Sequence, residues 1–259
     1  MNSISFLGTG SGIPSADRAF SSSVLLISGR HLLVDAGEPC VHLLCDRGNL
    51  IREIDAVLIT HGHVDHIGGI PAFLQGAMLL KRTKPLPIYL PEEMIAPLRM
   101  WIKALYLPEE GFGFSVIWEA WHSGQTMQLD GGLSVTAHPN DHLEGRSLPS
   151  DDLLEPSASY SLEIFSGDFR VLFSGDLSSP ASLPTLLANP VNVLVCELSH
   201  FRAEQLADAL CKITLGSLCL VHLSEDYAFD RTVLQEYLMK RLPLLKDVMI
   251  PDDGEIIDF

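Results

Sequence analysis

Three imidazoles and a carboxylate crowd into six positions at His61-Gly62-His63-Val64-Asp65-His66, directly after Thr60 and the apolar run Ala56-Val57-Leu58-Ile59. In an extended chain, residues two apart point to the same side, so His61 and His63 are placed to grip one cation together. Asp65 and His66 follow a turn and can face a second. The string H-x-H-x-D-H at a strand end therefore predicts a metal site with more donors than a single ion needs.

Further donors are expected where His or Asp follows an apolar strand, and three places qualify. Val135-Thr136-Ala137-His138-Pro139-Asn140-Asp141-His142 ends one strand with two histidines. Val171-Leu172-Phe173-Ser174-Gly175-Asp176 ends another with a carboxylate, and Leu218-Cys219-Leu220-Val221-His222 ends a third with a histidine. Any one of these alone reads as a cap or an ordinary satisfied polar group. Taken with His61 to His66 they amount to a complete ligand set for two metals.

The elements that must position these groups alternate between strand and helix. Val24-Leu25-Leu26-Ile27 and Leu32-Leu33-Val34-Asp35 flank the turn Ser28-Gly29-Arg30 as a hairpin. Helical patterns run over 40–51, 70–80 and 92–105, the last opened by Pro91 and Glu92-Glu93. Short strands are expected near 86–90, 114–118 and 133–138, then at 159–165, 169–174, 192–196 and 217–221, with helices at 202–212 and 230–240. Strands that first cluster and then alternate with helices indicate a layered α/β architecture. No Gly-, Ser- or Pro-rich linker divides the halves, so one domain over 1–259 is expected. The polar loop 144–157, with two prolines, is the segment expected to move.

Composition sets the outer limits. Hydrophobic residues make up 47% of 259, and mean hydropathy is +0.23, enough for a sizeable core. No apolar stretch reaches the roughly eighteen residues of a membrane span. Met1 to Gly8 reads as the start of a strand and not as a leader. Five cysteines without a C-x-x-C do not make a disulfide framework; Cys196, Cys211 and Cys219 lie in apolar runs and are expected as buried thiols. A cytoplasmic location is the expectation. The formal charge of −16 disfavours long nucleic acids, whose binding rests on neutralising many phosphates. The basic cluster Lys81-Arg82-Thr83-Lys84 reads as a solvated turn after a helix, with a phosphate contact as the alternative. Gly8, Gly10 and Gly12 lack a following G-K-[ST] and read as a tight turn. Gly68 and Gly69 are expected to allow close approach of a helix. Trp101, Trp118 and Trp121 are core residues or an apolar substrate wall.

These motifs resemble the metallo-β-lactamase-fold hydrolases over nearly the whole chain, and within them the ribonuclease Z branch. The opening Phe6-Leu7-Gly8-Thr9-Gly10-Ser11-Gly12-Ile13-Pro14 is similar to that branch's N-terminal signature. His200-Phe201-Arg202-Ala203-Glu204-Gln205-Leu206-Ala207 resembles its catalytic-histidine motif. The resemblance implies a four-layer αβ/βα sandwich in the α/β class. It implies two divalent metals, zinc first and manganese or iron as alternatives, with His61, His63 and His142 on one, Asp65, His66 and His222 on the other, and Asp176 bridging. His142 is preferred to His138 because the family's ligand precedes a loop and a strand like Ser159-Tyr160-Ser161-Leu162. Asp65 doubles as an orienter of the attacking water. His200 is the general acid or a hydrogen-bond donor to a phosphate, with capping of the helix that starts at Arg202 as the alternative, and Glu197 is placed to hold its tautomer.

The ribonuclease branch carries a tRNA-gripping arm between the positions of His142 and Asp176. Here a loop and two strands already fill that interval. The expectation is therefore a dinuclear-metal phosphodiesterase acting on a small anionic phosphodiester such as a cyclic nucleotide, in a homodimer without a membrane partner. The alternatives are thioester or lactone hydrolysis on the same fold, ribonuclease Z-type cleavage of tRNA, and a non-catalytic sensor that keeps the metal site.

Overall fold

The computed structural model describes residues 2–13, 15–48, 50–148, 155–224, 227 and 230–259. These form two compact units, one of Met1–Trp121, Gly145–Ala158 and Asp253–Phe259, the other of His122–Glu144 and Ser159–Asp252.

The first unit is built from β1 (Ser3–Gly8), β2 (Ser22–Ile27), β3 (Arg30–Ala36), β4 (Ile54–Leu58), β5 (Leu86–Leu90), β6 (Val116–Ala120) and a late strand, β16 (Ile256–Asp258). They make one seven-stranded sheet in the order β16-β1-β2-β3-β4-β5-β6. Pairing is antiparallel from β16 to β3 and parallel from β3 to β6. Helices α1 (Cys40–Asp46), α3 (Ile70–Leu79) and α4 (Glu92–Ala104) pack on the sheet, and the one-turn α2 (Val64–Ile67) precedes α3. Leu44 of α1, Phe73 and Leu74 of α3 and Ile102 of α4 meet Leu33, Val57 and Ile88 of the strands in one apolar core. Strand β5 alternates buried Leu86, Ile88 and Leu90 with half-buried Pro87 and Tyr89, the period of two expected of a strand with two unlike faces.

The second unit has β7 (Thr126–Leu129), β8 (Leu133–Pro139), β11 (Tyr160–Ser166), β12 (Phe169–Phe173), β13 (Val193–Leu198), β14 (Leu215–Leu223) and β15 (Leu245–Met249). Their order is β15-β14-β13-β12-β11-β8-β7. From β12 to β15 the strands are parallel. Helices α5 (Leu183–Leu186), α6 (Ala203–Leu210) and α7 (Arg231–Arg241) place Leu183, Leu206, Leu210, Leu234 and Leu238 against Leu194, Leu218 and Val248. A short hairpin of β9 (Ser147–Leu148) and β10 (Glu155–Pro156) belongs to the first unit.

Most expected elements appear within a residue or two of their predicted ends, and β1 takes up the opening segment read as a strand. Helix 40–51 is split: α1 stops at Asp46 and a separate 3₁₀ turn covers Leu50–Arg52. Strand 114–118 is shifted to Val116–Ala120. Residues 149–154 of the loop expected to move lie outside the described residues. Cys196 and Cys219 are buried, whereas Cys211 is only half-buried because it stands at the end of α6. No helix among the described residues is long and apolar enough to cross a membrane.

Lys81, Thr83 and Lys84 are exposed, as expected of a solvated turn, and Arg82 alone departs from that reading. Arg82 is 3% exposed. Its Nε donates to the Lys84 carbonyl at 2.9 Å, Nη2 to the Pro85 carbonyl at 2.9 Å, and Nη1 to the Ile54 and Arg52 carbonyls at 2.7 and 3.2 Å. Burial pulls this guanidinium below its ordinary range. Its work is to satisfy carbonyls around the start of β4, not to meet a phosphate.

Candidate metal centre

In the first unit the donors gather at the carboxyl ends of the parallel strands, where open α/β sheets place their ligands. β4 ends at Leu58, and Ile59-Thr60-His61 leads off it. Buried Trp121 donates its Nε1 hydrogen to the Ile59 carbonyl at 2.8 Å and stacks on Tyr89, anchoring that exit. Trp118 donates to Glu109 at 3.1 Å. These two tryptophans therefore do packing work. Two glycines make room: a Cβ on Gly8 would lie 1.8 Å from the Phe20 carbonyl oxygen, and one on Gly69 would lie 2.6 Å from that of Ala36. Gly69 bears out its reading as a point of close backbone approach, whereas Gly8, read as part of a tight turn, is the last residue of β1.

His61 Nε2 lies 3.0 Å from His63 Nδ1, as the same-side argument requires. His66 follows on α2, its ring 4.1 Å from that of His61 and its Nε2 3.5 Å from Asp65 Oδ2. One structural element thus brings His61, His63, Asp65 and His66 together.

A carboxylate that the sequence did not flag organises this cluster. Asp35, at the end of β3, is 6% exposed and sits at φ +55°, in the left-handed region. It accepts the Thr60 N–H at 2.8 Å, and its Oδ2 lies 2.9 Å from the Thr60 hydroxyl and 2.8 Å from His66 Nδ1. The Thr60 hydroxyl is in turn 3.1 Å from His61 Nδ1. A hydroxyl has one hydrogen to give, and the Asp35 carboxylate only accepts. Thr60 therefore donates to Asp35 and accepts from His61 Nδ1–H, while His66 Nδ1–H donates to Asp35 directly. Both rings are fixed with the proton on Nδ1 and the lone pair on Nε2, the form that binds a cation. Backbone strain at Asp35 is the kind of cost found where function over-determines a conformation.

The second unit repeats the device. Glu197, the penultimate residue of β13, is 1% exposed. Its Oε2 accepts from the Ser199 and His200 N–H groups at 2.8 and 3.1 Å and lies 3.2 Å from the Ser199 hydroxyl. That hydroxyl is 2.8 Å from His222 Nδ1. Ser199 thus stands to Glu197 and His222 as Thr60 stands to Asp35 and His61. Glu197 Oε1 also lies 2.9 Å from His200 Nδ1 and accepts the Leu177 N–H at 2.8 Å, tying the residue after Asp176 into the same network. His200 does not cap its helix: Arg202 holds that position, and its N–H donates to Gln205.

His222 lies within β14 and not beyond it. The register slips there, with Glu197 opposite Val221 and Leu198 opposite Leu223, so His222 is the extra residue of a bulge, at φ +50°. A bulge re-aims one side chain, and here it turns His222 Nε2 to within 3.5 Å of Asp176 Oδ2. His142 Nε2 is 3.7 Å from the same oxygen. Asp176, His200 and His222 each offer a ligand atom within 4.8 Å of the others. His138 goes elsewhere: its Nε2 is 3.1 Å from Glu163 Oε2, and that bond, with Arg170 assisting, holds the Glu163 carboxyl below the usual carboxylate range.

The donor set fits divalent cations of the zinc type: imidazole nitrogens, with the far edges of His61, His66 and His222 held by oxygens, and carboxylates, without a thiolate. Burial pushes the Cys40 and Cys196 thiols up, and no cysteine joins the clusters of candidate ligands among the described residues. Replacing Asp35 by Ala is expected to weaken metal binding about 10- to 100-fold, read by competition with a coloured chelator, because it releases two rings at once.

Residues 2–203 match the family described as Anti-Pycsar protein Apyc1. The chain belongs to that family. A ribonuclease Z of Exiguobacterium sp. is 34% identical to this Apyc1-family chain over 140 residues, which are 54% of the chain and 45% of that protein. The chain spans less than half of the length of the curated relatives it matches. Among solved structures, the metallo-β-lactamase-fold protein YhfI from Bacillus subtilis superposes with a TM-score of 0.77 at 19% identity, covering 99% of this chain and 98% of that one. Human tRNase Z, short form, gives 0.74 at 20% identity, covering 99% and 98%. The Apyc1-family chain thus has the metallo-β-lactamase fold, as its motifs led us to expect, and is similar to ribonuclease Z over part of its length.

Proposed function

We propose that the protein is a metal-dependent phosphodiesterase acting on a small anionic phosphodiester. His61, His63 and His142 would hold one divalent cation, Asp65, His66 and His222 a second, and Asp176 would bridge them. Bound cations of this kind supply Lewis acidity and acidify water near neutral pH. The observation that carries the reading is the repeated relay of carboxylate, hydroxyl and imidazole, Asp35–Thr60–His61 and Glu197–Ser199–His222, which prepares rings in both units for the same task.

The protein's own residues supply the rest. Glu197 fixes the His200 proton on Nδ1 in the neutral ring and stabilises the doubly protonated one, so the Nε2 edge can donate to the leaving oxygen. Asp65, 7% exposed beside His66, would orient the attacking water. Kinship with proteins named ribonuclease Z, whose RNA substrate is itself a phosphodiester, supports phosphoester over thioester chemistry.

Zinc- or manganese-loaded protein is expected to release p-nitrophenol from bis(p-nitrophenyl) phosphate, and His63→Ala to lose both that turnover and one equivalent of metal by elemental analysis. Wild-type turnover no greater than that of His63→Ala, or faster cleavage of a thioester or lactone in the same panel, would overturn the reading.

A further inference from the structure

An anionic substrate approaching a chain of net charge −16 needs a local cation to receive it, and the metals are not the only candidates. Arg146 is exposed on the segment that leads into β9. The base of that segment is tied down: the Arg146 carbonyl accepts the Ser157 N–H at 3.1 Å, and the Ala158 N–H donates to Glu93 Oε1 at 2.6 Å. The Arg146 guanidinium Nη1 lies 3.4 Å from His63 Nε2.

That contact changes character with the state of the ring. His63 turns Nδ1 toward His61 Nε2, so a cation held between those nitrogens leaves Nε2 on the outer edge carrying the ring's proton. A guanidinium has only donors, and Nε2–H is then a donor as well. Two N–H groups converge on one place, and the oxygen of an anion satisfies both. We propose that Arg146 is a substrate-binding residue whose guanidinium, together with His63 Nε2–H, grips a non-bridging oxygen of the phosphodiester. This rests on the metal-dependent phosphodiesterase reading for the identity of the anion. It adds that recognition of the phosphate is shared between the metals and an arginine of a surface loop.

The test compares wild type, Arg146→Ala and Arg146→Lys. Arg231→Ala, which removes a surface ion pair to Asp252, is the control. Each protein is assayed for metal per chain, for calorimetric binding of inorganic phosphate, and for KM and kcat on bis(p-nitrophenyl) phosphate. Losing charge-assisted hydrogen bonds is expected to raise the phosphate Kd and the KM of Arg146→Ala about 10- to 100-fold. Metal content and kcat stay at the wild-type level, the pattern of lost ground-state binding. Arg146→Lys falls between, since it keeps the charge without the fork. Phosphate binding by Arg146→Ala equal to that of wild type or the control overturns the proposal, as does an Arg146→Ala protein that loses metal in step with phosphate. If wild type turns over no phosphodiester yet binds phosphate through Arg146, the activity reading fails while the arginine site stands.

Discussion

Replacing His200 by alanine is expected to lower kcat about 100- to 10,000-fold, the range a positioned general acid supplies, while metal content stays at the wild-type level. The second clause decides the role. His200 stands within ligand distance of Asp176 and His222, so a purely geometric reading could make it a metal ligand. What argues otherwise is where its nitrogens go. Nδ1 is engaged by Glu197 Oε1 at 2.9 Å and is 4.0 Å from Asp176 Oδ2, and the side chain is 35% exposed where His222 is 4% exposed. A ring tethered through Nδ1 and partly exposed suits proton delivery. Loss of one metal equivalent from His200→Ala would convert it to a ligand and leave the reaction without its acid.

The second large effect is on stability. Arg82→Ala is expected to destabilise the fold by about 2–4 kcal/mol, because the buried Ile54 carbonyl and three part-buried ones lose their donor together, and an unsatisfied buried acceptor costs roughly 1–3 kcal/mol. The guanidinium serves the Ile54, Arg52, Lys84 and Pro85 carbonyls and lies 5.7 Å from the Phe114 ring centroid, so packing is lost as well. Arg82→Lys is expected to recover less than half, since an ammonium on a single stem cannot reach carbonyls on two sides of the turn. Denaturant titration reads this as a lowered midpoint at unchanged slope. A change within about 0.5 kcal/mol, normal for a solvated surface position, would return Arg82 to the solvated face of the turn.

Arg82 also shows where sequence reasoning stops. Its neighbours Lys81 and Lys84 are exposed, and nothing in the pattern K-R-x-K distinguishes the one side chain that turns inward. The strands and long helices were legible because apolar periodicity is local. The break in α1 and the single turn of α2 were not, since seven and four residues hold too little of a 3.6-residue period to locate their ends. Among the site residues, the histidines and Asp176 stood out by type and by their place after strands. Asp35, Thr60 and Ser199 did not, because a strand-end Asp or a lone hydroxyl is common and their role exists only through partners on other strands. Asp35 nevertheless lies next to Ala36 and Gly37 at the end of an apolar run, the same context that drew attention to Asp176. The bulge at His222 was invisible for a different reason: register is a property of two strands, and one sequence segment states only its own half.

One feature of the first unit bears on how the protein is made. Strand β1 pairs with β16, and the Asp253 carboxylate just ahead of that strand accepts the Thr9 N–H at 2.9 Å and its hydroxyl at 2.7 Å. During synthesis β1 therefore emerges with one flank open and stays so until the residues after Asp252 leave the ribosome. An unpaired strand flank is a template for pairing with another chain, and until then this one has no native partner to shield it. Nascent chains released early should be the ones that chaperones retain or that aggregate.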